Sequence, residues 1–174
     1  MNTSVPKDKV TARPTFEYNS QPVRAAGILI TTIQDNNSYY LLRSTRKGTW
    51  SDIGGKTDKV DTDIISTIVR ETVEETNHKL LSPYHSYKQA YEMLDNLLRN
   101  EEFEIFYCPR AKYILIKVVF DTNIKHMPMK RFGLRESTDK MNHYYAWISN
   151  VQRQKLHPRL KCHSQYDKIF NVYN

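Results

Sequence analysis

"RETVEET", residues 70 to 76, crowds three glutamates into five positions of a basic chain, directly after an arginine. On a helix each residue advances about 100°, so with Glu71 at 0° Glu75 falls near 40° and Glu74 near 300°. Ile65, Ile68, Val69, Thr72, Val73 and Thr76 then fill the arc from about 60° to about 200°. The spacing predicts a helix over "DIISTIVRETVEET" (63–76) with carboxylates on one face and core on the other. An ordinary amphipathic helix with a solvated acidic face has the same pattern. Here that arrangement carries a cost. Glu71 and Glu75 are like charges at i and i+4, worth about 0.2–0.5 kcal/mol against the helix, and the last two glutamates meet the negative end of the macrodipole. No lysine lies one turn away to relieve them. A hard divalent cation accepts carboxylate oxygens and keeps positions open for phosphates, so Mg²⁺ or Mn²⁺ is the expected ligand.

Working outward from this helix gives alternating strands and helices, without internal repeats. Before it, "AAGILITTI" (25–33) and "SYYLLRS" (38–44) are β-rich runs separated by the turn signal "QDNN", a predicted hairpin. "RKGTWSDIGGKTDKVDTD" (46–63) reads as a loop holding three of the five glycines. Residues 1–20, with Pro6 and Pro14 and no periodicity, read as a flexible arm, leaving residues 21–174 as a single domain. After the acidic helix, residues 82–100 read as a helical insertion. Tyr84, Tyr87, Tyr91, Leu94 and Leu98 form one stripe there, which reads as core more readily than as a base-stacking surface. "FEIFYC" and "KYILIKVVF" (112–120) follow as strands joined at "PRA", then a basic loop (121–141), the strand "HYYAWIS", and a helical segment around "VQRQKLHPRL". This order predicts an α/β sandwich with a mixed sheet.

Composition narrows the function classes. The chain has 174 residues, 39% of them hydrophobic, enough for one core. Its apolar runs are too short to span a bilayer and its polar start lacks the apolar stretch of a signal peptide, so an intracellular, cytoplasmic protein with no membrane partner is expected. Cys108 and Cys162 lie far apart without ligand-like spacing and read as two reduced thiols. The net charge of +7 is uneven: residues 109–174 hold 13 Lys/Arg against 4 Asp/Glu, while residues 1–108 hold 13 against 15. A basic surface attracts phosphate-rich partners, although a solvated basic surface would look the same.

"GGKTDKVDTDIISTIVRETVEETN" resembles the Nudix box, the signature of the Nudix hydrolase family, G-x5-E-x7-R-E-U-x-E-E-x-G-U with U apolar. The match occupies residues 55–78. Arg70, Glu71, Glu74 and Glu75 fit its R-E-x-x-E-E core, and Trp50, Gly54 and Gly55 fit the usual approach to it. Two features depart from the pattern: Asp61 stands where Glu is expected, and the loop is one residue longer. Asp58, Asp61 and Asp63 are alternatives for bracing the arginine, and Asp61, Thr62 and Asp63 are also good helix caps. Thr72 takes an apolar position, where its hydroxyl can bond back to a carbonyl one turn earlier. Asn77 replaces a glycine in a place that suits a left-handed residue.

The resemblance implies a Nudix-type α-β-α sandwich and hydrolysis of the diphosphate bond of a nucleoside diphosphate linked to another group. Glu71, Glu74, Glu75 and the Gly55 carbonyl would hold Mg²⁺ or Mn²⁺, which would neutralise the phosphates and lower the pKa of an attacking water. Arg70 would orient the carboxylates. Glu136 is the best placed further carboxylate, with Glu101, Glu102 and Glu104 competing, though each also reads as a surface residue. Lys47, Lys56 and Lys59 flank the glycine loop and are candidates for substrate phosphates. His143 and His157 titrate in a useful range but read first as structural. The expected partner is a nucleotide-type substrate. Capped RNA is the alternative, with removal of the mRNA 5′ cap as the reaction, because the basic C-terminal part and the tyrosine stripe suit backbone and stacking contacts. A third reading, a non-catalytic binding module, sits badly with the intact arginine and glutamates.

Overall fold

A computed structural model describes residues 12–78, 80, 86–120, 145–161 and 163–171. Two hairpins open the described part of the chain. Strands β1 (Phe16–Tyr18) and β2 (Gln21–Val23) turn at Asn19 and Ser20, while β3 (Ala25–Gln34) and β4 (Asn37–Ser44) turn at Asp35 and Asn36. All four turn residues have positive φ, between 48° and 61°. A two-residue loop of that kind matches the twist of the flanking strands, and short polar side chains tolerate it best.

Then come β5 (Trp50–Ser51), β6 (Ile53–Lys56), α1 (Ile64–Glu75), α2 (Tyr87–Asn100), β7 (Glu104–Cys108), β8 (Tyr113–Val119) and β9 (Tyr145–Ile148). Two short helices, α3 (Pro158–Lys161) and α4 (Tyr166–Ile169), close the described chain. The main sheet runs β5-β4-β3-β8-β7, with β6 also paired to β3 and β9 to β4. Only the β3–β8 pairing is parallel among those described, so the sheet is mixed.

β3 and β8 are nearly continuous apolar runs because both of their faces are covered. Ala26, Ile28, Ile30, Ile114, Ile116 and Val118 face one side, where they meet Ile68, Val69 and Val73 of α1 and Leu94 and Leu98 of α2. Leu29, Tyr40, Leu42 and Leu115 face the other, against Leu156, Leu160, Ile169 and Phe170. The result is an α-β-α sandwich, as the element order predicts. The Tyr–Leu stripe of α2 is core: Leu94 and Leu98 are buried, and Tyr87 and Tyr91 pack on them, whereas Tyr84 lies outside the described residues.

Three expectations change. The arm predicted over residues 1–20 does not reach its second half, since Phe16–Tyr18 is a paired strand whose aromatic rings pack on the core; Thr57 also donates to the Pro14 carbonyl at 2.6 Å. The loop predicted over 46–63 contains β5 and β6, because Gly54 lies opposite Gly27 and their missing side chains allow the two backbones to close up. The helical segment at "VQRQKLHPRL" breaks into a 3-10 turn (Val151–Arg153) and α3. Pro158 explains the break: it restricts the preceding residue and has no N–H, which places it at a helix start. The basic loop predicted over 121–141 lies outside the described residues. No helix among the described residues is long and apolar enough to cross a membrane.

Candidate metal and phosphate site

α1 starts on Asp63. Its carboxylate accepts from the Ser66 amide at 2.7 Å, and the Ser66 hydroxyl in turn accepts from the Asp63 amide at 3.0 Å, a reciprocal cap. The helix ends where Asn77 and His78 take φ of 49° and 53°. The His78 amide donates to the Val73 carbonyl at 2.7 Å and that of Asn77 to the Glu74 carbonyl at 3.1 Å, so asparagine fills the left-handed position. Both ends are thereby fixed, and the glutamate face is fixed with them. Thr72 is buried as its place in the apolar arc predicts, but its hydroxyl has no partner among the described residues, so the expected back-bond is not made.

Asp61 braces the arginine. Arg70 donates from Nε to Oδ1 at 2.8 Å and from Nη2 to Oδ2 at 3.0 Å, a two-pronged pair on a carboxylate whose side chain is only 2% exposed. Burial disfavours the charge on Asp61, but Arg70, the Asp58 amide and the Thr67 hydroxyl outweigh it and hold the carboxyl below its ordinary range. The remaining donors of Arg70 reach Glu71 Oε1 at 2.9 Å, Glu74 Oε2 at 3.1 Å and the Lys56 carbonyl at 2.8 Å. One guanidinium thus ties the loop, β6 and two glutamates together. Of the three candidate aspartates, Asp61 holds Arg70, Asp63 caps the helix and Asp58 supplies an amide to Asp61. We expect Asp63→Ala to cost about 1 kcal/mol in urea melts, the usual value of a cap, and to leave catalysis unchanged.

Glu75 is held from two other elements. Arg43 of β4 pairs with its Oε1, and the Gly54 amide donates to its Oε2 at 3.1 Å. Tyr145 of β9 donates to its main-chain carbonyl at 2.9 Å. The acidic face is therefore relieved by Arg70 and Arg43, not left bare as the missing lysine suggested. Relief is incomplete. Burial, with the facing Glu71 carboxylate, pushes Glu75 up to about 8 against the pull of Arg43. Burial also raises Glu71, with Glu74 and Asp61 adding to the effect against Arg70.

Gly55 lies directly beneath Glu71, so a β-carbon there would overlap the Glu71 carboxylate. The donor set of Gly55 carbonyl, Glu71, Glu74 and Glu75 consists of oxygen alone, as Mg²⁺ and Mn²⁺ prefer. Two half-buried carboxylates whose charged forms the fold disfavours also fit a cation, which would favour those forms. Among the described residues no three acidic, His or Cys side chains already stand as a closed cluster. Gly55→Ala should push Glu71 aside and lower activity at least about tenfold with little loss of stability, because the end of a glutamate moves easily; steady-state kinetics beside a thermal melt would check this.

The other candidates lie elsewhere. Glu101 and Glu102 are exposed beyond α2, and Glu104 pairs with Lys117 at 3.3 Å on the edge strand β7. Lys56 at the end of β6 and Lys59 in the loop after it are exposed, while Lys47 lines a cleft with Arg43 and His157. Glu136, His143 and Cys162 lie outside the described residues; Cys108 is buried as a free thiol. Sequence reading missed Arg43 and the buried Asp52, whose carboxylate takes Tyr113, Ser51 and Arg159. The available signal was an arginine interrupting an apolar strand and an acid set just before paired glycines.

Among solved structures, the chain resembles the NUDIX domain of Shewanella oneidensis NrtR complexed with ADP ribose at 13% identity, covering 88% of this chain and 86% of that one, with a TM-score of 0.44. It also resembles a C. elegans Ap4A hydrolase binary complex at 16% identity, covering 86% of this chain and 93% of that one, with a TM-score of 0.42. A second C. elegans Ap4A hydrolase structure aligns at 19% identity over 86% of this chain and 87% of that one, with a TM-score of 0.37. No protein-family model and no curated protein matches the sequence.

Proposed function

We propose that this chain is a Nudix-type, Mg²⁺- or Mn²⁺-dependent hydrolase that cleaves the diphosphate bond of a nucleoside diphosphate linked to another group. The observation that carries the reading is the half-buried pair Glu71 and Glu75, held on one helix face against the Gly54–Gly55 backbone, where Gly55 leaves room for the Glu71 carboxylate and the Gly54 amide donates to Glu75.

Glu71, Glu74, Glu75 and the Gly55 carbonyl would hold the cation. When bound, it supplies Lewis-acid neutralisation of the phosphate oxygens. The chain's own residues do the positioning. Arg70 keeps Glu71 and Glu74 on the β6 side of the helix, and Asp61 keeps Arg70 in place. Arg43 and the Gly54 amide hold Glu75. Lys47, Lys56 and Lys59 are the proposed phosphate contacts, and Glu136 stays a proposed base or further ligand. Capped RNA as substrate rests on the basicity of residues 109–174, and residues 121–144 of that part lie outside the described set.

A panel of a dinucleoside polyphosphate, ADP-ribose, a nucleotide sugar and capped RNA, each assayed with Mg²⁺, Mn²⁺ and EDTA, tests the reading. Release from at least one diphosphate-containing substrate, dependent on the metal, is expected. No release from any of them with either metal overturns it. Preferential release of methylated GDP from long capped RNA would move the substrate to RNA.

A further inference from the structure

Beside the carboxylate site, on the other side of Arg43, lies a cleft of about 290 Å³ lined by Arg43, Thr45, Arg46, Lys47, Ser51, His157 and Arg159. Four permanent cations line it, without a carboxylate among the described lining residues. Its rim is built rather than draped. The β4–β5 connection is a tight turn closed by Thr45 N to Thr49 O at 2.7 Å and Gly48 N to Thr45 O at 3.0 Å, with Gly48 at φ 66°. That turn presents Arg46 and Lys47 outward, both exposed.

The floor is fixed too. Arg159 stacks on the Tyr113 ring at 4.7 Å and donates from Nε to the buried Asp52 at 2.8 Å. A further observation suits an anion. Arg43 Nε is buried without a hydrogen-bond partner among the described residues, a donor that an anion's oxygen would satisfy. Burial, then the charges of Arg159, Arg43 and Lys47 against the pull of Asp52, hold the His157 imidazole below its ordinary range, in keeping with a basic lining.

We propose that this cleft binds a short polyphosphate chain, so that the enzyme selects substrates whose phosphate chain continues past the cleaved diphosphate over sugars joined by a diphosphate alone. The selectivity half rests on the hydrolase reading; the binding half does not. The cleft sits at the small end of ligand-site volumes, which suits a few phosphates and not an extended strand. No Phe, Tyr or Trp is among its described lining residues, so no stacking platform for an RNA base is present there. Arg43 lines the cleft and touches Glu75, which places the anion next to the proposed cation.

Isothermal titration of the full chain with inorganic tripolyphosphate in EDTA tests the binding half without metal or turnover. Single-site binding that weakens with salt is expected, with Arg46→Ala and Lys47→Ala each weaker by about five- to tenfold and Lys88→Ala unchanged. The His157 proton resonance should titrate at higher pH with tripolyphosphate bound. Equal affinity in all four proteins overturns the proposal, as does tighter binding of a single-stranded oligonucleotide that the same two variants weaken. Comparing kcat/KM for a dinucleoside polyphosphate and for ADP-ribose tests selectivity: a preference for the polyphosphate that Lys47→Ala erases supports it, and equal values in the native enzyme refute it. Binding without hydrolysis of any substrate refutes the hydrolase reading and leaves the cleft standing.

Discussion

Glu75→Gln is expected to lower kcat for the proposed hydrolysis at least about a hundredfold, with little change in melting temperature. The estimate follows from outer-shell partners of a metal costing about 10- to 100-fold, so that a direct ligand, the role proposed for Glu75, would cost more. The small change in melting point follows from the site. Burial pushes Glu75 up to about 8, so the variant loses a charge that the metal-free fold disfavours, and this offsets the amide donor that glutamine must turn toward Arg43 or the Gly54 N–H.

The sign of the pH dependence follows from the same shift. A group whose pKa rises on folding contributes stability that is complete below its unfolded value, near 4.5, and is lost as pH climbs through about 8. Metal-free protein should therefore lose stability between about pH 5 and about pH 8, on the order of a few kcal/mol from this group, and the glutamine variant should flatten that fall. Added Mg²⁺ should raise the melting temperature most at the alkaline end, and only in the native protein. Calorimetry with and without EDTA reads all of this. An active Glu75→Gln enzyme, or one whose melting temperature falls steeply, would sink the assignment.

Arg70→Ala unfolds more protein than any other single change to the site, costing about 3–5 kcal/mol. Its side chain makes five hydrogen bonds, two of them to Asp61, which is almost wholly buried and would be left with an uncompensated charge. In a chain of this size that is roughly a 10 °C drop in melting temperature. Arg70→Lys recovers little, because one ammonium cannot reproduce a two-pronged contact. Asp61→Asn in the Arg70→Ala background should regain part of the loss, since it removes the stranded charge, and a double-mutant cycle measures the coupling. Stability within about 1 kcal/mol of native for Arg70→Ala would show that Arg70 does not hold the loop.

Much of the helix was legible because its information is local. The split between carboxylates and core and the left-handed Asn77 depend on neighbours within a few residues, and so does the Asp35-Asn36 turn. The role of Asp61 was less so. Three aspartates within six residues offered the same chemistry, and only the path of the loop decided that Asp61 faces Arg70 while Asp63 caps. The extra residue in that loop and the shorter acid are compatible, since the two-pronged contact forms with ordinary distances.

Arg43 and Arg159 were illegible for a different reason. Arg43 reaches Glu75 across 32 residues and Arg159 reaches Asp52 across 107, separations at which no periodicity links two charges. The glycines gained their meaning in the same way: Gly54 and Gly27 matter because their strands pair, and Gly55 because α1 is laid over it. The sequence by itself determined the acidic helix, its left-handed C-terminal residue, the order of strands and helices and the kind of cation such a face would prefer, all of which follow from backbone periodicity and side-chain chemistry. Only the tertiary structure decided which cations neutralise that face and where a basic cleft opens beside it, because those contacts form when a sheet brings distant segments together.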